Sequence, residues 1–136
     1  MTPPLLLDTH ALVWYVEDLP VLGCQARTAL VDADVEGRLY ISAISFWEIA
    51  VLHRKRRLTL SLDLFDWRDA VLRRGVIEQP LTGGQAIFAE RLEGFHPDPA
   101  DRIITATAQL LGLVLVTSDS KILDWRGKLK RLDARR

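Results

Sequence analysis

Four acidic residues occupy positions where an α/β protein could use them for chemistry: Asp8, Glu48, Asp101 and Asp119. Carboxylates gathered in one concave site repel one another and raise one another's pKa, and a divalent cation removes that conflict. Oxygen ligands without a His or Cys cluster favour Mg²⁺ or Mn²⁺ over Zn²⁺. Because such a cation activates water and stabilises charge on a phosphate, the set predicts phosphodiester hydrolysis.

Each acid also has a structural explanation of its own. Asp8 could cap the helix that follows it, Asp101 could be stabilised by a helix N-terminus, and Asp119 could form an Asx turn. Glu48 lies in a predominantly apolar helical stretch, and a carboxylate near a core face needs a partner. That partner is either an arginine or a cation shared with the other acids.

Short apolar strands alternate with helical stretches along the chain. The strands are predicted at 5–7, 39–41, 76–78, 113–116 and 130–133, and the helices at 10–17, 23–35, 43–56, 62–74, 84–92 and 99–111. This alternation predicts an α/β fold with a mostly parallel sheet covered on both faces. Ligands bind beyond the carboxyl ends of such strands, and both Asp8 and Asp119 follow a strand.

The length of 136 residues suits one domain spanning residues 1–136, and a hydrophobic content of 49% argues against disorder. The zero net charge argues against a constitutive nucleic-acid coat protein but does not exclude a nuclease, because only local charge meets the substrate. The single cysteine, Cys24, excludes a disulfide within the chain. Residues 1–4 carry no basic side chain and no apolar run approaches the length of a membrane span. We therefore expect a cytoplasmic protein without a secretory signal.

Basic residues are concentrated in two places, the run Arg54-Lys55-Arg56-Arg57 and the tail from Lys121 to Arg136. One interpretation is a solvated surface. The other is contact with phosphates or with an acidic partner, and Arg54, Lys55 and Arg56 are the candidates for RNA contact.

Four segments resemble the PIN-domain family, and most closely the VapC-type toxins of bacterial toxin–antitoxin pairs. They are Leu-Leu-Leu-Asp-Thr-His at 5–10, Ile-Ser-Ala-Ile-Ser-Phe-Trp-Glu-Ile at 41–49, Asp-Pro-Ala-Asp-Arg at 98–102 and Val-Thr-Ser-Asp at 116–119. Each segment alone is weak evidence. Together, in the family's order and spacing, they are specific and cover essentially the whole chain.

The resemblance implies a three-layer α/β/α fold with four to five strands and a Mg²⁺-dependent endoribonuclease, with Mn²⁺ able to substitute. It implies that the products end in 5′-phosphate and 3′-hydroxyl. The family's acidic positions fall on Asp8, Glu48, Asp101 and Asp119. Its hydroxyl helpers fall on Thr9, Ser45 and Ser118.

Two residues of the Asp-Pro-Ala-Asp-Arg segment need separate assignment. The family pattern gives Asp98 the helix cap and Asp101 the metal. Arg102 is expected either to steady a carboxylate or to touch phosphate.

The resemblance also implies partners: an RNA substrate, a second copy of the chain in a homodimer, and a small antitoxin that lays a helix in a groove and obstructs the acidic site. Trp14, Trp47 and Trp67 could build the dimer face or that groove, although core packing is favoured for each. Trp125 could stack on a base, and core packing is again favoured.

Other classes of enzyme fit less well. A haloacid-dehalogenase-like phosphatase needs a second Asp at position 10, which is His. Receiver, dinucleotide-binding and serine-hydrolase motifs are missing, and the three histidines are scattered. The alternatives kept open are an inert RNA- or protein-binding module of the same family and a structure-specific DNA nuclease.

Overall fold

A computed structural model describes residues 2–136 and contains five strands and seven helices in that range. The order along the chain is β1 (Leu5–Leu7), α1 (Thr9–Val16), α2 (Cys24–Val35), β2 (Leu39–Ser42), α3 (Ala43–Arg54), α4 (Leu64–Arg73), β3 (Ile77–Gln79), α5 (Gly83–Glu90), α6 (Pro99–Leu111), β4 (Val114–Thr117), α7 (Ser120–Leu123) and β5 (Arg131–Asp133).

The strands form one sheet in the order β3-β2-β1-β4-β5, and every neighbouring pair is parallel. The central strand β1 pairs Leu7 with Ile41 of β2 and with Val116 of β4. The ends of these three strands are therefore in register. Because all strands run in one direction, the residues that follow β1, β2 and β4 emerge at the same edge of the sheet.

Alternate side chains of the strands supply two separate cores. Leu5 and Leu7 pack with α1, α2 and α4 on one face, whereas Leu6 and Leu115 pack with α5, α6 and α7 on the other. Both faces of the sheet are thus covered by helices, which is the three-layer α/β/α arrangement predicted from the sequence. Across residues 2–136, every helix is too short or too polar to span a lipid bilayer.

The predicted elements are all present, with end shifts of a few residues. The sheet is entirely parallel rather than mostly so, because the last strand, β5, joins the edge beside β4 in the same direction. The helix expected over 62–74 starts later, at Leu64, where the Asp63 side chain caps it by accepting a hydrogen bond from the Phe65 N–H. Gly112, in the left-handed region at φ +66°, ends α6 as expected of a glycine at that position.

The face that α3 turns toward the core differs from the prediction. From the sequence, core packing is favoured for Trp47, which would turn that side of α3 inward. In the structure, Ser45 and Ile49 are the buried residues of α3, and Trp47 is 59% exposed. The expectation that Trp47 packs in the core is therefore wrong. Small Ser45 can point inward because α3 packs closely against α1 there, with Ser45 Oγ bonded to Thr9.

The other tryptophans agree better with core packing. Trp67 is 1% exposed and packs edge-on against Phe46, and Trp14 is partly buried against the same core. Trp125 is partly buried beside the second core, in an edge contact with Phe95.

The corrected orientation of α3 predicts opposite costs for two neighbouring substitutions. Ile49→Ala should lower the free energy of unfolding by about 2–5 kcal/mol, because it removes a buried side chain and leaves a cavity. Trp47→Ala should cost less than about 1 kcal/mol in spite of the larger truncation, because most of that side chain is already in water. Urea unfolding of both variants measures the difference. A larger loss for Trp47→Ala would restore the orientation suggested by the sequence.

Candidate metal-dependent active site

A small acidic cleft lies at the carboxyl edge of the sheet, between the ends of β1 and β4 and the starts of α3 and α6. Its volume is about 180 Å³. It is lined by Asp8, Thr9, His10, Glu48, Asp98, Asp101, Ser118 and Asp119. All four acids chosen from the sequence therefore meet in one place, together with two of the three expected hydroxyl residues.

Asp8 is fixed at the end of β1 by its own hydrogen bonds. One carboxylate oxygen accepts from the Ala11 N–H at 3.1 Å and so caps α1, and the other accepts from the Thr117 hydroxyl. Burial raises the pKa of Asp8, and the Thr117 hydrogen bond partly offsets that rise. Asp8 therefore caps α1 and lines the cleft at the same time.

Glu48 enters the cleft from the second turn of α3. The Thr9 hydroxyl donates to Glu48 Oε1 and lies 3.0 Å from the hydroxyl of Ser45, which is fully buried. Burial raises the pKa of Glu48, and the neighbouring charges of Asp98 and Asp8 raise it further. Among residues 2–136 no arginine pairs with Glu48, so the structural alternative of an arginine partner does not hold. Thr9 and Ser45 instead orient the carboxylate.

Asp98 and Asp101 both reach the cleft from the first turn of α6. Asp98 is the N-cap, accepting from the Asp101 N–H at 2.9 Å, with Pro99 at the start of the helix. Burial raises the pKa of Asp101 to about 8, and the charges of Asp98, Glu48, Asp8 and Asp119 add to the effect. Asp101 is thus the acid on which the repulsion of the whole cluster falls.

Asp119 closes the cleft from the side of β4. Its side chain caps α7 by accepting from the Lys121 N–H at 2.9 Å, and its own N–H donates to the Thr117 hydroxyl at 3.1 Å. Thr117 therefore links Asp8 with Asp119. Sequence reasoning did not select Thr117, although it stands in the quoted Val-Thr-Ser-Asp segment. Ser118 lines the cleft as expected.

Two histidines that seemed scattered in the sequence also lie near the acids. His10 lines the cleft, and His96 Nε2 lies 3.2 Å from Asp101 Oδ2 without forming a hydrogen bond. The imidazole of His96 stacks on the ring of Phe95 at 4.7 Å. Only the loop before α6 brings His96 here, so spacing in the sequence gave no signal for it.

Within residues 2–136, Arg102 pairs with no carboxylate, so the first of its two expected roles is wrong, whereas contact with a phosphate stays a prediction. Its guanidinium donates to the backbone carbonyls of His96, Ala89, Leu92 and Phe95, at 2.7–3.3 Å. Arg102 therefore holds the loop between α5 and α6 rather than a carboxylate. Two of these carbonyls, those of Ala89 and Leu92, lie at or just beyond the end of α5, where a cationic side chain is a favourable partner for the backbone.

The basic run Arg54, Lys55 and Arg56 lies outside the cleft lining. Arg54 is six residues beyond Glu48, about 9 Å farther along the helix axis at 1.5 Å per residue. All three side chains are exposed and none forms an ion pair within residues 2–136. Contact between this run and RNA stays a prediction.

The donor set fits a hard divalent cation. Among residues 2–136, two groups bring ligand atoms within 4.8 Å of one another: Glu48, Asp98 and Asp101, and separately His96, Asp101 and Asp119. Ligands about 2.0–2.1 Å from Mg²⁺ lie at most about 4.2 Å apart, so small side-chain movements suffice. Asp101 is common to both groups. Burial and the charges of the neighbouring acids raise the pKa of Asp101 to about 8, and a cation bound here would offset both effects by favouring the carboxylate.

Comparison with known proteins agrees with this fold. The family model described as "PIN domain" matches residues 5–128. The chain therefore belongs to the PIN-domain family. It is 34% identical over 122 residues to Ribonuclease VapC22 of Mycobacterium tuberculosis, covering 89% of this chain and 91% of that protein.

Solved structures with the same fold come from toxin–antitoxin complexes. DNA-bound VapBC from Salmonella typhimurium gives a TM-score of 0.71 at 19% identity, with 98% of both chains covered. VapBC2 from Rickettsia felis, bound to a promoter DNA fragment, gives 0.65 at 15% identity, covering 93% of this chain and 96% of that one. At these identities the likeness establishes the fold.

The raised pKa of Asp101 predicts an unusual pH dependence for the metal-free protein. Asp101 keeps its proton up to about pH 8 when folded, and releases it near 3.8 when unfolded. Between those values the folded state binds more protons, so stability should fall as pH rises. Asp101→Asn should remove much of that fall, making the variant about 1–3 kcal/mol more stable than wild type at pH 8 but not at pH 4.

Urea unfolding in EDTA at several pH values measures this effect. Asp69→Asn, which neutralises an exposed acid of α4, is the matched control and should follow the wild-type profile. If the stability of Asp101→Asn and of wild type depends on pH in the same way, the pKa of Asp101 is not raised by its surroundings.

The carbonyl contacts of Arg102 predict a stability effect. Arg102→Ala should lower the free energy of unfolding by about 2–4 kcal/mol, because charge-assisted hydrogen bonds to four carbonyls are lost. The exposed Arg73, on α4, is the control and should change stability by less than about 0.5 kcal/mol when truncated to Ala. An Arg102→Ala protein of unchanged stability that no longer cleaves RNA would return Arg102 to a role at the substrate.

Proposed function

We propose that this chain is a Mg²⁺-dependent endoribonuclease that acts as the toxin of a toxin–antitoxin pair and inhibits translation. One observation carries the proposal: carboxylates from four separate segments converge in a cleft without an arginine to neutralise them. Such a cluster is unfavourable unless a cation binds. Membership of the PIN-domain family and the 34% identity to a ribonuclease favour RNA as the polymer that is cut.

The four acids would share the work of holding the cation. Asp8, Glu48, Asp101 and Asp119 are proposed as its ligands, and Mn²⁺ should replace Mg²⁺ because both prefer oxygen donors. Bound there, the ion would polarise the scissile phosphodiester and lower the pKa of an attacking water. Hydrolysis in this manner would leave a 5′-phosphate and a 3′-hydroxyl.

Hydroxyl groups around the acids would keep those ligands in place. Thr9 and Ser45 would hold Glu48, and Thr117 would hold Asp8 through the bonds described above. Ser118, which lines the cleft, could donate to a phosphate oxygen. Asp98, the exposed N-cap, would fix the first turn of α6 so that Asp101 faces the cation.

The proposed partners are a small antitoxin and a second copy of this chain. The structural relatives were solved as toxin–antitoxin complexes, which supports an antitoxin. The structure also leaves large apolar side chains in water, among them Trp47 and Phe65, the latter 81% exposed. Because the proposed substrate is RNA, we place the activity in the cytoplasm. We also propose that residues 1–136 form one domain, which carries this activity.

Two rival functions would give different results with the same purified protein. An inert binding module would hold RNA without cutting it, whatever metal is present. A structure-specific DNA nuclease would cut branched or single-stranded DNA in preference to RNA. Assays on single-stranded RNA, structured RNA and DNA separate the three functions.

Asp101→Asn tests the proposed chemistry. The variant should keep the wild-type fold and lose at least about 100-fold in Mg²⁺-dependent RNA cleavage, because an anionic ligand at the centre of the cluster becomes neutral. EDTA should stop the wild-type enzyme, and added Mn²⁺ should restore it. Gel analysis of a labelled RNA measures the rate and the product ends.

Asp69→Asn is again the matched control, since it removes one acidic charge far from the cleft and should cleave at the wild-type rate. Calorimetric titration with Mg²⁺ adds a readout that does not depend on turnover. Wild-type rates from Asp101→Asn, or cleavage that survives complete chelation, would exclude the proposed role of the acidic cleft.

A further inference from the structure

A second and larger cavity opens beside the acidic cleft. Its volume is about 900 Å³, against about 180 Å³ for the cleft itself. Sites that enclose a small organic ligand usually measure ~300–1,000 Å³, so the cleft has room for a phosphate and a cation but not for a nucleoside. His96 lines this larger groove and lies 3.2 Å from Asp101 of the cleft. His96 therefore lies between the two cavities, whose linings share no residue among those described.

The groove is lined by cationic side chains that form no ion pair with any acid of the described residues. Arg91, Lys121, Arg126 and Lys128 line it and are exposed, and within residues 2–136 none of them takes part in an ion pair. Glu93 and Asp124 are the acids of the lining, which leaves four positive against two negative charges. The acidic cleft alone would repel a polyanion. The groove beside it has an excess of positive charge and would attract one.

An indole ring is held firmly within the groove. Trp125 Nε1 donates to the Glu93 carbonyl at 2.9 Å, and the ring meets Phe95 edge-on at 5.2 Å between centroids. A Cβ at Gly127 would lie 2.1 Å from the Trp125 ring, so the indole covers that glycine and tolerates no larger residue there. Trp125 remains partly exposed. An aromatic surface fixed in this manner is suited to stacking with a planar group.

Both walls of the groove are braced from within the fold. Arg131 of β5 donates to the carbonyls of Ile122 and Gly127, which fixes the segment that carries Trp125 and Arg126. The opposite wall, the loop after α5, is fixed by the bonds from Arg102 described above. The groove is therefore formed before any ligand arrives, and binding would cost little ordering of the protein.

We propose that this groove binds the single-stranded RNA on one side of the scissile phosphate, with phosphates against Arg126 and Lys128 and an unpaired base against Trp125. The proposal rests on the proposed nuclease function, since it assigns the track of the substrate that the acidic cleft would cut. Unpaired cations combined with a fixed aromatic ring are the two features that bind single strands without reading sequence. A base within a duplex could not reach the ring.

An acidic peptide is the other ligand that a positive groove could take. The short distance between the groove and the acidic cleft favours the nucleic acid, because a strand bound in the groove would extend toward the carboxylates proposed to hold the cation. The indole ring of Trp125 favours it too, because Asp and Glu side chains have no aromatic ring that could stack on it. The RNA contacts assigned to this groove, at Arg126 and Lys128, are separate from those predicted for the basic run at the end of α3.

Binding measured apart from cleavage tests the proposal. Fluorescence anisotropy with a labelled 12-nucleotide single-stranded RNA in EDTA should show about tenfold weaker binding for the double variant Arg126→Ala/Lys128→Ala. The dependence of log affinity on log salt should become shallower by about 1.4, the value for two lost contacts to a single strand. Arg73→Ala, on the opposite face of the sheet, is the control and should leave affinity and slope unchanged.

Replacement of the indole separates stacking from charge. Trp125→Phe keeps an aromatic ring and should bind within about threefold of wild type, whereas Trp125→Leu should bind about tenfold more weakly with an unchanged salt slope. Circular dichroism and thermal unfolding establish that each variant is folded. Should either substitution destabilise the fold, the charge variants still decide the outcome.

A small phosphodiester, bis(p-nitrophenyl) phosphate, distinguishes failure of the groove from failure of the proposed function. The double variant should hydrolyse it at the wild-type rate, because it needs only the acidic cleft, while its KM for RNA rises about tenfold and kcat changes little. Wild-type RNA affinity in the double variant, or weakened binding of an acidic peptide alone, would overturn the RNA track. Wild-type protein that hydrolyses neither substrate would instead refute the proposed nuclease.

Discussion

Mutual repulsion between carboxylates is the interaction on which the arrangement of this sheet edge depends. Burial raises the pKa of Asp101 to about 8, and the charges of four other acids add to the rise, so the cleft without a cation resists full ionisation. Folding gathers these charges only because the rest of the molecule supplies the stability. The buried strands, with Leu6 and Leu7 fully enclosed, and the two helical layers offset the cost. A cation would turn this unfavourable interaction into the most favourable one of the site.

Hydrogen bonds that cap helices also fix the acids in the cleft. Asp8 caps α1, Asp98 caps α6 and Asp119 caps α7, so three of the acids are oriented by N–H groups of the chain. Each carboxylate oxygen that accepts one such bond still has a lone pair for another partner. Capping and metal binding are therefore compatible roles. The parallel sheet favours this arrangement, because β1, β2, β3 and β4 are each followed by a helix whose N-terminus lies at the same edge.

The sequence was sufficient to predict what depends on local pattern. Strand runs such as Leu5–Leu7, the helix cap at Asp8 and the Asp-Pro-Ala-Asp start of α6 identify elements and place acids at their ends. Prediction from the sequence failed where contacts between distant segments decide which way a side chain points. Trp47 is exposed because a close contact between α1 and α3 favours small Ser45 inside, and Arg102 turns to carbonyls that only the folded loop presents. No spacing rule reports such encounters between distant segments.

The zero net charge of the sequence gave little information about the partner, because it does not report where the charges lie in the folded molecule. The molecule separates its charges: acids collect in the cleft, while Arg126, Lys128 and their neighbours line the adjoining groove. A polyanion is repelled by the cleft and attracted by the groove, so a strand held by its flanking phosphates is brought to a site that alone would reject it. Only a cation in the cleft makes the final approach favourable. On this reasoning, cation binding and strand binding should each strengthen the other, since each lowers the electrostatic cost of its neighbour.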